Sequence, residues 1–382
     1  MKKDCPSLII ITLLLLLASG AGCSLASGKG KVPPQPGEPA LAPTQPETLS
    51  RITPPFNPTI TPTGAALPSP SATTPVFEVG KELTISYLRS LEIVGSAIII
   101  HEKLAAGYNY QRYLVSYLSE GYRIYGLLTV PFGDPPPGGF KAIVFIHGYI
   151  PPDEYRTLER YTAYVDYLAR SGFVVFKIDL RGHGESEGFA SGTYFSPGYT
   201  IDAISAVKSL KTLDDIDPHG IGIWGHSMAG NLVLRAMLIE PEIKAGVIWA
   251  GAVYSYDDFE VYGINDTSYR SPVTPESQDE APPLSSSQVI MAAYGRPDSR
   301  QAYWQAVSLT ENIGFLDSPL QIHHAEDDPV VDIGYSYGLA GALQAAGKAY
   351  EFYVYDGGGH NIASPWFDLA MSRTVKFFQD NL

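Results

Sequence analysis

The sequence is poor in cysteine, in positive charge and in long apolar runs. Its only cysteines are Cys5 and Cys23, so everything after the first few dozen residues must hold together without disulfides. Acidic residues outnumber basic ones by 40 to 26, giving a formal charge of -14. A nucleic-acid partner, which selects basic faces, is therefore not expected. The apolar stretch from Leu8 to Ala18 falls short of the roughly 20 residues that a membrane-spanning helix needs.

What is present at the N-terminus accounts for both cysteines. Lys2 and Lys3 precede that apolar stretch and small residues run from Ser19 to Gly22, the three-part layout of a signal peptide over 1–22. Ala21-Gly22-Cys23 resembles the end of a bacterial lipobox, with Gly20 an imperfect fit. The expectation is an exported bacterial protein held at the membrane or cell surface by acyl chains on Cys23, or secreted if cleavage leaves a free thiol. Residues 23–75 are rich in Pro, Thr and Ser, a composition that cannot bury enough apolar surface to fold and reads as an extended spacer. No internal repeat is present.

From about Val76 the composition turns globular, and 45% of the whole chain is hydrophobic, ample for a large core. Segments 96–103, 110–118 and 122–130 read as strands, the last two joined by a short turn. Segments 141–147, 173–180, 221–224, 245–253, 320–323 and 350–355 read as further strands. Helical patterns at 161–169, 200–213, 228–238, 335–346 and 370–379 alternate with them. This alternation predicts an α/β fold, a mostly parallel sheet covered by helices on both faces. The helical stripe of Tyr161, Tyr164, Val165, Leu168 and Ala169 is expected to face the core. The pattern breaks between 252 and 318, which reads as an insertion over the ligand crevice, a lid. Tyr254, Tyr256, Phe259, Tyr262 and Tyr294 would line a pocket there or form the lid's own core.

The chemistry concentrates in Gly225-His226-Ser227-Met228-Ala229-Gly230. An apolar strand precedes it and a helix follows, the context of a nucleophile elbow that lifts a serine hydroxyl above the sheet edge. The usual last glycine of G-x-S-x-G is Ala229 here. A serine at such a turn is catalytic only in company. His360, in a glycine-rich loop after the last strand, is the candidate base. Asp327 or Asp328, after the strand before it, is the candidate acid, and the order serine, acid, histidine is that of hydrolases with this elbow. The amides of Tyr149 and Met228 would hold the oxyanion. A metal site from His323, His324, Asp327 and Asp328 is disfavoured, because adjacent strand residues point to opposite faces. The turn 181–186 reads as structural or pocket-forming.

Together H-G-Y at 147–149, D-L-R-G-H-G-E-S-E-G at 179–188, G-H-S-M-A-G at 225–230, D-S-P-L-Q-I-H-H-A-E-D-D-P-V-V at 317–331 and G-G-G-H at 357–360 resemble the catalytic domain of the prolyl oligopeptidase (S9) family and its single-domain relatives. The resemblance runs from about 110 to 382 and implies an α/β-hydrolase fold. In that family the segment near 320 usually reads I-H-G-x-x-D-x-x-V. Laid on this chain with His324 in place of the glycine, it selects Asp327, with Val330 closing the motif. The implied activity is that of a serine hydrolase on an ester or peptide bond through Ser227, Asp327 and His360, without metal or organic cofactor. Residues 23–75 are too few for the β-propeller that family peptidases usually carry, so a carboxylesterase is the alternative and an idle surface binding module a more distant one. Oligomeric state is not legible.

Overall fold

A computed structural model describes residues 77–190, 192–264 and 285–382. The expected leader, Cys23, the spacer and residues 265–284 of the insertion lie outside the described residues. Nine strands form one sheet: β1 (Ile99–Leu104), β2 (Tyr110–Ser119), β3 (Tyr122–Pro131), β4 (Phe140–Ile146), β5 (Val174–Ile178), β6 (Ile216–His226), β7 (Gly246–Trp249), β8 (Leu320–Ala325) and β9 (Tyr350–Tyr355). Their spatial order is β1-β2-β3-β5-β4-β6-β7-β8-β9. The first three pair antiparallel, and β3 meets β5 antiparallel, while every contact from β5 through β9 is parallel. This is the expected mostly parallel sheet, in the α/β-hydrolase arrangement.

Local chemistry explains the antiparallel edge. Glu120 and Gly121 form the two-residue loop between Ser119 and Tyr122, with φ of 49° and 84°. Positive φ at both central positions suits a tight hairpin turn, although it is unusual for glutamate. The Glu120 carboxylate lies 2.9 Å from Arg181, which in turn grips the buried Asp202 through Nε and Nη2. The turn at 181–186 is thereby a structural clamp on the first hairpin.

Along the parallel strands, neighbouring residues enter two separate cores. Val144 and Ile146 of β4 join one cluster and Ile143 and Phe145 the other; Ile223 and Trp224 of β6 divide likewise. On the first face pack α1 (Ile85–Ser90), α3 (Gly198–Leu210), α4 (Ala229–Ile239), α7 (Ala302–Val307) and α8 (Gly334–Ala345); on the second, α2 (Thr162–Arg170) and α9 (Phe367–Asn381). The remaining α-helices among the described residues are α5 (Tyr256–Tyr262) and α6 (Ser286–Tyr294). Both cores bury the sheet, so the chain ends of β4 to β9 open on one edge, where such folds place ligands. From β4 the chain passes to β5 on one side and later to β6 on the other. The crevice at that reversal is bordered by the loop after β4 and the turn after β6.

Two boundaries move furthest. β6 starts at Ile216, five residues before the apolar run at Ile221 that marks it in sequence, and β7 stops at Trp249, four before the expected end. Ala250 and Val253 take φ of 47° and 57°, so the chain turns out of the sheet there. The described part of the insertion packs into the first core, through Trp304, Val307 and Leu309 among others. Tyr254 and Tyr256 are buried, Tyr262 packs on Tyr335, and Tyr294 stacks on Tyr303 while donating to the Val79 carbonyl.

Candidate active site

The elbow is built by exclusion of side chains. Ser227 takes φ 57°, a left-handed conformation that costs a non-glycine residue on the order of 1–3 kcal/mol and persists only where surroundings hold it. The Ser227 N–H donates to the Trp249 carbonyl at 2.8 Å, and the Ser227 carbonyl accepts from Gly230 N–H at 2.8 Å. A Cβ at Gly230 would stand 2.6 Å from Gly251 Cα; one at Gly225 would stand 2.7 Å from the Ala229 carbonyl and 2.9 Å from the Ala229 Cβ. The methyl of Ala229 thus fills room left by Gly225, while Gly230 makes the close approach to the loop after β7. Met228 caps α4, placing its amide at the helix N-terminus, where partial positive charge favours an anion.

The loop after β4 meets this turn edge on. A Cβ at Gly148 would lie 2.7 Å from Tyr161 Oη and 3.1 Å from Ser227 Cβ, so only glycine lets the two segments touch. The Gly148 N–H donates to Tyr161 Oη at 2.9 Å. His226 Nε2 is 2.8 Å from the His360 carbonyl, which can only accept, so Nε2 carries the hydrogen. Its Nδ1, 2.8 Å from Tyr161 Oη, then accepts from that hydroxyl. Burial, reinforced by His360 nearby, pushes His226 down to about 3, which keeps the ring neutral and this hydrogen-bond direction intact. One chain of hydrogen bonds therefore joins the loop after β4, the residue before the serine, and the backbone of His360. Tyr164 adds a second tie by donating to the Asn361 carbonyl at 2.9 Å.

His360 Nδ1 is 2.8 Å from Asp328 Oδ2. The Asp328 side chain is 1% exposed, and its Oδ1 accepts from the amides of Val330 and Val331 at 2.8 and 3.0 Å. Burial alone would raise this carboxyl, but hydrogen bonds from His324 and His360 outweigh it and hold Asp328 well below the usual carboxylate range. Asp328 is thus ionised and aimed at the imidazole.

This corrects the expectation for the acid. Asp327 is exposed, and its Oδ1 accepts from the Gly359 amide at 2.7 Å; it braces the histidine loop through backbone and leaves the imidazole to its neighbour. The error has a definite source. In His323-His324-Ala325-Glu326-Asp327-Asp328-Pro329-Val330-Val331 the histidines, aspartates and valines are all doubled, so H-x-x-x-D-x-x-V fits in two registers. The structure selects His324, Asp328 and Val331, with Ala325 in the glycine position. The two histidines diverge: His323 meets Tyr355 and Gln321, His324 meets Ser336 and Val331.

Ser227 and His360 border one cavity of about 660 Å³, along with Gly148, Tyr149, Ile150 and Val330. Tyr161, Tyr164 and Phe367 supply aromatic wall, and Arg160 is the one permanently charged side chain on it among the described residues. The insertion, among the described residues, does not border this cavity. Tyr161 and Tyr164 pack toward the core as expected, Tyr164 inside the second cluster and Tyr161, the cap residue before α2, against it, and both also border the cavity. Val165, Leu168 and Ala169 remain in the core. Neither the tyrosines nor His226 carries a local sequence signal for this role, since each acts through a partner more than ten residues away.

Comparison with known proteins agrees with this fold. Protein ABHD12B of Homo sapiens is 28% identical over 208 residues, 52% of this chain and 48% of that protein. The Bacillus subtilis protein named uncharacterized peptidase YtmA is 26% identical over 244 residues, 64% of this chain and 83% of that one. The chain spans less than half the length of four of the curated relatives it matches. Among solved structures, acetyl xylan esterase 1 from a Thermoanaerobacterium species superposes with a TM-score of 0.56 at 16% identity, covering 80% of this chain and 95% of that one. Porphyromonas gingivalis dipeptidyl peptidase 4 gives 0.53 at 21% identity, covering 72% and 36%. The sequence pattern of the prolyl oligopeptidase family matches residues 159–382, more than half of the chain and including the elbow, the acid turn and the histidine loop; the chain belongs to that family.

Proposed function

We propose that the protein is a serine hydrolase that cleaves an ester or peptide bond through an acyl-enzyme. The observation that carries this reading is the 2.8 Å contact of His360 Nδ1 with the buried Asp328, at a cavity shared with a serine held at φ 57°. Ser227 Oγ attacks the carbonyl while His360 Nε2 takes its proton. Asp328 keeps the hydrogen of the resting ring on Nδ1 and stabilises the imidazolium. The amides of Tyr149 and Met228 hold the oxyanion, each worth on the order of 3 kcal/mol in the transition state. His360 then protonates the leaving alcohol or amine, and water repeats the sequence to free the acid. No metal or organic cofactor enters any step.

Family membership supports an S9-type peptidase. The cavity wall supports a carboxylesterase as a second reading: among its described residues no carboxylate stands to pair with a substrate's free α-amine, so neutral acyl groups fit. Ser227→Ala should abolish turnover and fluorophosphonate labelling while leaving the fold intact; labelling retained by that variant would refute the nucleophile. Comparing p-nitrophenyl esters with aminoacyl and prolyl amides on the wild-type protein separates the two acyl classes.

The N-terminal composition supports export and anchoring through Cys23, with 23–75 as a spacer for a domain beginning near 76. At about 3.1 Å per residue such a Pro-rich spacer reaches over about 100 Å, and acyl burial adds about 0.8 kcal/mol per CH₂. Cys23→Ala should move the protein from membranes to medium, and an unchanged partition would count against the anchor.

A further inference from the structure

The acid of this site is held by a second histidine. His324 lies on β8, fully buried, with Nε2 3.2 Å from Asp328 Oδ2 and 3.0 Å from the Val331 carbonyl. Both of those oxygens only accept, so in the neutral ring the hydrogen sits on Nε2. Nδ1 is then a bare lone pair, and the buried Ser336 hydroxyl on α8, 2.7 Å away, donates to it. The result is a directed chain, Ser336 to His324 to Asp328, that meets the contact from His360 at the same carboxylate oxygen.

The arithmetic of donors makes this contact consequential. A carboxylate offers about four lone-pair sites, and Asp328 fills its Oδ1 side with two amides of its own turn, leaving Oδ2 to His360 and His324. His324 comes from the strand, which is paired in the sheet, whereas the two amides belong to the turn that carries Asp328 itself. We infer that His324 is a positioning residue: it fixes Asp328 Oδ2 in line with His360 Nδ1 and shares that oxygen's charge, with Ser336 setting its tautomer. This rests on the serine-hydrolase reading above. Removing the Nε2 hydrogen would free Oδ2 to move and would leave its full charge on His360, stabilising the imidazolium and making the base harder to deprotonate.

The test uses the full chain with His324→Leu, His324→Gln, Ser336→Ala and Ser227→Ala, assayed on a p-nitrophenyl ester. His324→Leu should lower kcat about 10- to 100-fold, the range seen when outer partners of functional side chains are lost, with KM changed less than about two-fold. The acid limb of its kcat/KM profile should move up by about half a pH unit or more, because His360 keeps its proton longer. His324→Gln, whose amide N–H reaches the same oxygen, should restore rate and profile to within about three-fold of wild type. Ser336→Ala should shift both in the direction of His324→Leu by less, and it decides the matter with His324→Gln if the leucine variant does not fold. A profile that stays put in His324→Leu or Ser336→Ala while only thermal stability falls would overturn the inference, as would a glutamine no better than leucine. Full turnover in Ser227→Ala would instead overturn the hydrolase reading and the role of His324 with it; loss of turnover there, with unaltered His324 and Ser336 variants, rejects this inference alone.

Discussion

Two turns leave the same edge of the sheet, the elbow after β6 and the acid turn after β8, and they are specified by different physics. In the elbow, absent side chains decide the shape: Gly225 and Gly230 sit where a Cβ would collide with the helix start or the loop after β7, and Gly148 of the facing loop sits where one would meet Ser227. Such exclusion is written in the local sequence, because glycine is the residue that tolerates it. In the acid turn, present side chains decide. Asp328 and Asp327 are chemically identical and adjacent, yet one meets His360 and the other meets a backbone amide. What separates them is a set of partners at 324, 330, 331 and 360. A steric rule can be read from a hexapeptide, whereas a hydrogen-bond assignment needs the partners in place.

The largest effect should come from the aspartates. Asp328→Asn, which loses the charge opposite the imidazolium, should lower kcat by about 10³- to 10⁴-fold, while Asp327→Asn, whose amide oxygen still accepts from Gly359, should stay within about three-fold. Equal losses in the two variants would erase the distinction between them. Next, Gly230→Ala should destabilise the fold by about 1–3 kcal/mol through overpacking against Gly251 and Ile248, measured by denaturant melts, and activity should fall with it. If it is neutral, exclusion does not shape the elbow.

Acid should then expose the buried histidines. Burial holds His147 and His226 down at about 3 and lowers His323 as well, against an ordinary value near 6.5 in the unfolded chain. Between those values the unfolded state binds protons that the folded state refuses. Stability is therefore complete above about pH 6.5 and falls as pH drops toward 3, by up to about 1.4 kcal/mol per pH unit for each ring. Melting temperatures flat from pH 6.5 to 4 would contradict this. The smallest effect is reserved for the elbow's apparent flaw. Ala229→Gly empties a methyl-sized space beside Gly225 and loosens the start of α4, costing about 1 kcal/mol and leaving kcat within a few-fold.

The insertion and α2 repeat the same lesson with aromatic residues. By sequence the insertion tyrosines suit a pocket or the lid's own core, and Tyr254, Tyr256 and Tyr294 pack in or against the first core; Tyr164 of α2 and Tyr161 before it pack in or against the second core and also border the cavity. An aromatic side chain buries well in either place, so periodicity alone does not sort them. Tyr161, one residue before the helix, packs its ring against the core while its hydroxyl reaches Gly148 and His226.

By itself the sequence determined the alternation of strands and helices, the serine at its elbow and the histidine in its glycine loop, because apolar periodicity and missing side chains act over a few residues. Only the tertiary structure decided which aspartate meets His360, which tyrosines wall the cavity, and that His324 and His226 brace the site. Apart from the short-range contact of His324 with Asp328, each of those depends on two segments far apart in the chain meeting at one sheet edge, where distance and donor count choose between residues that sequence leaves equivalent.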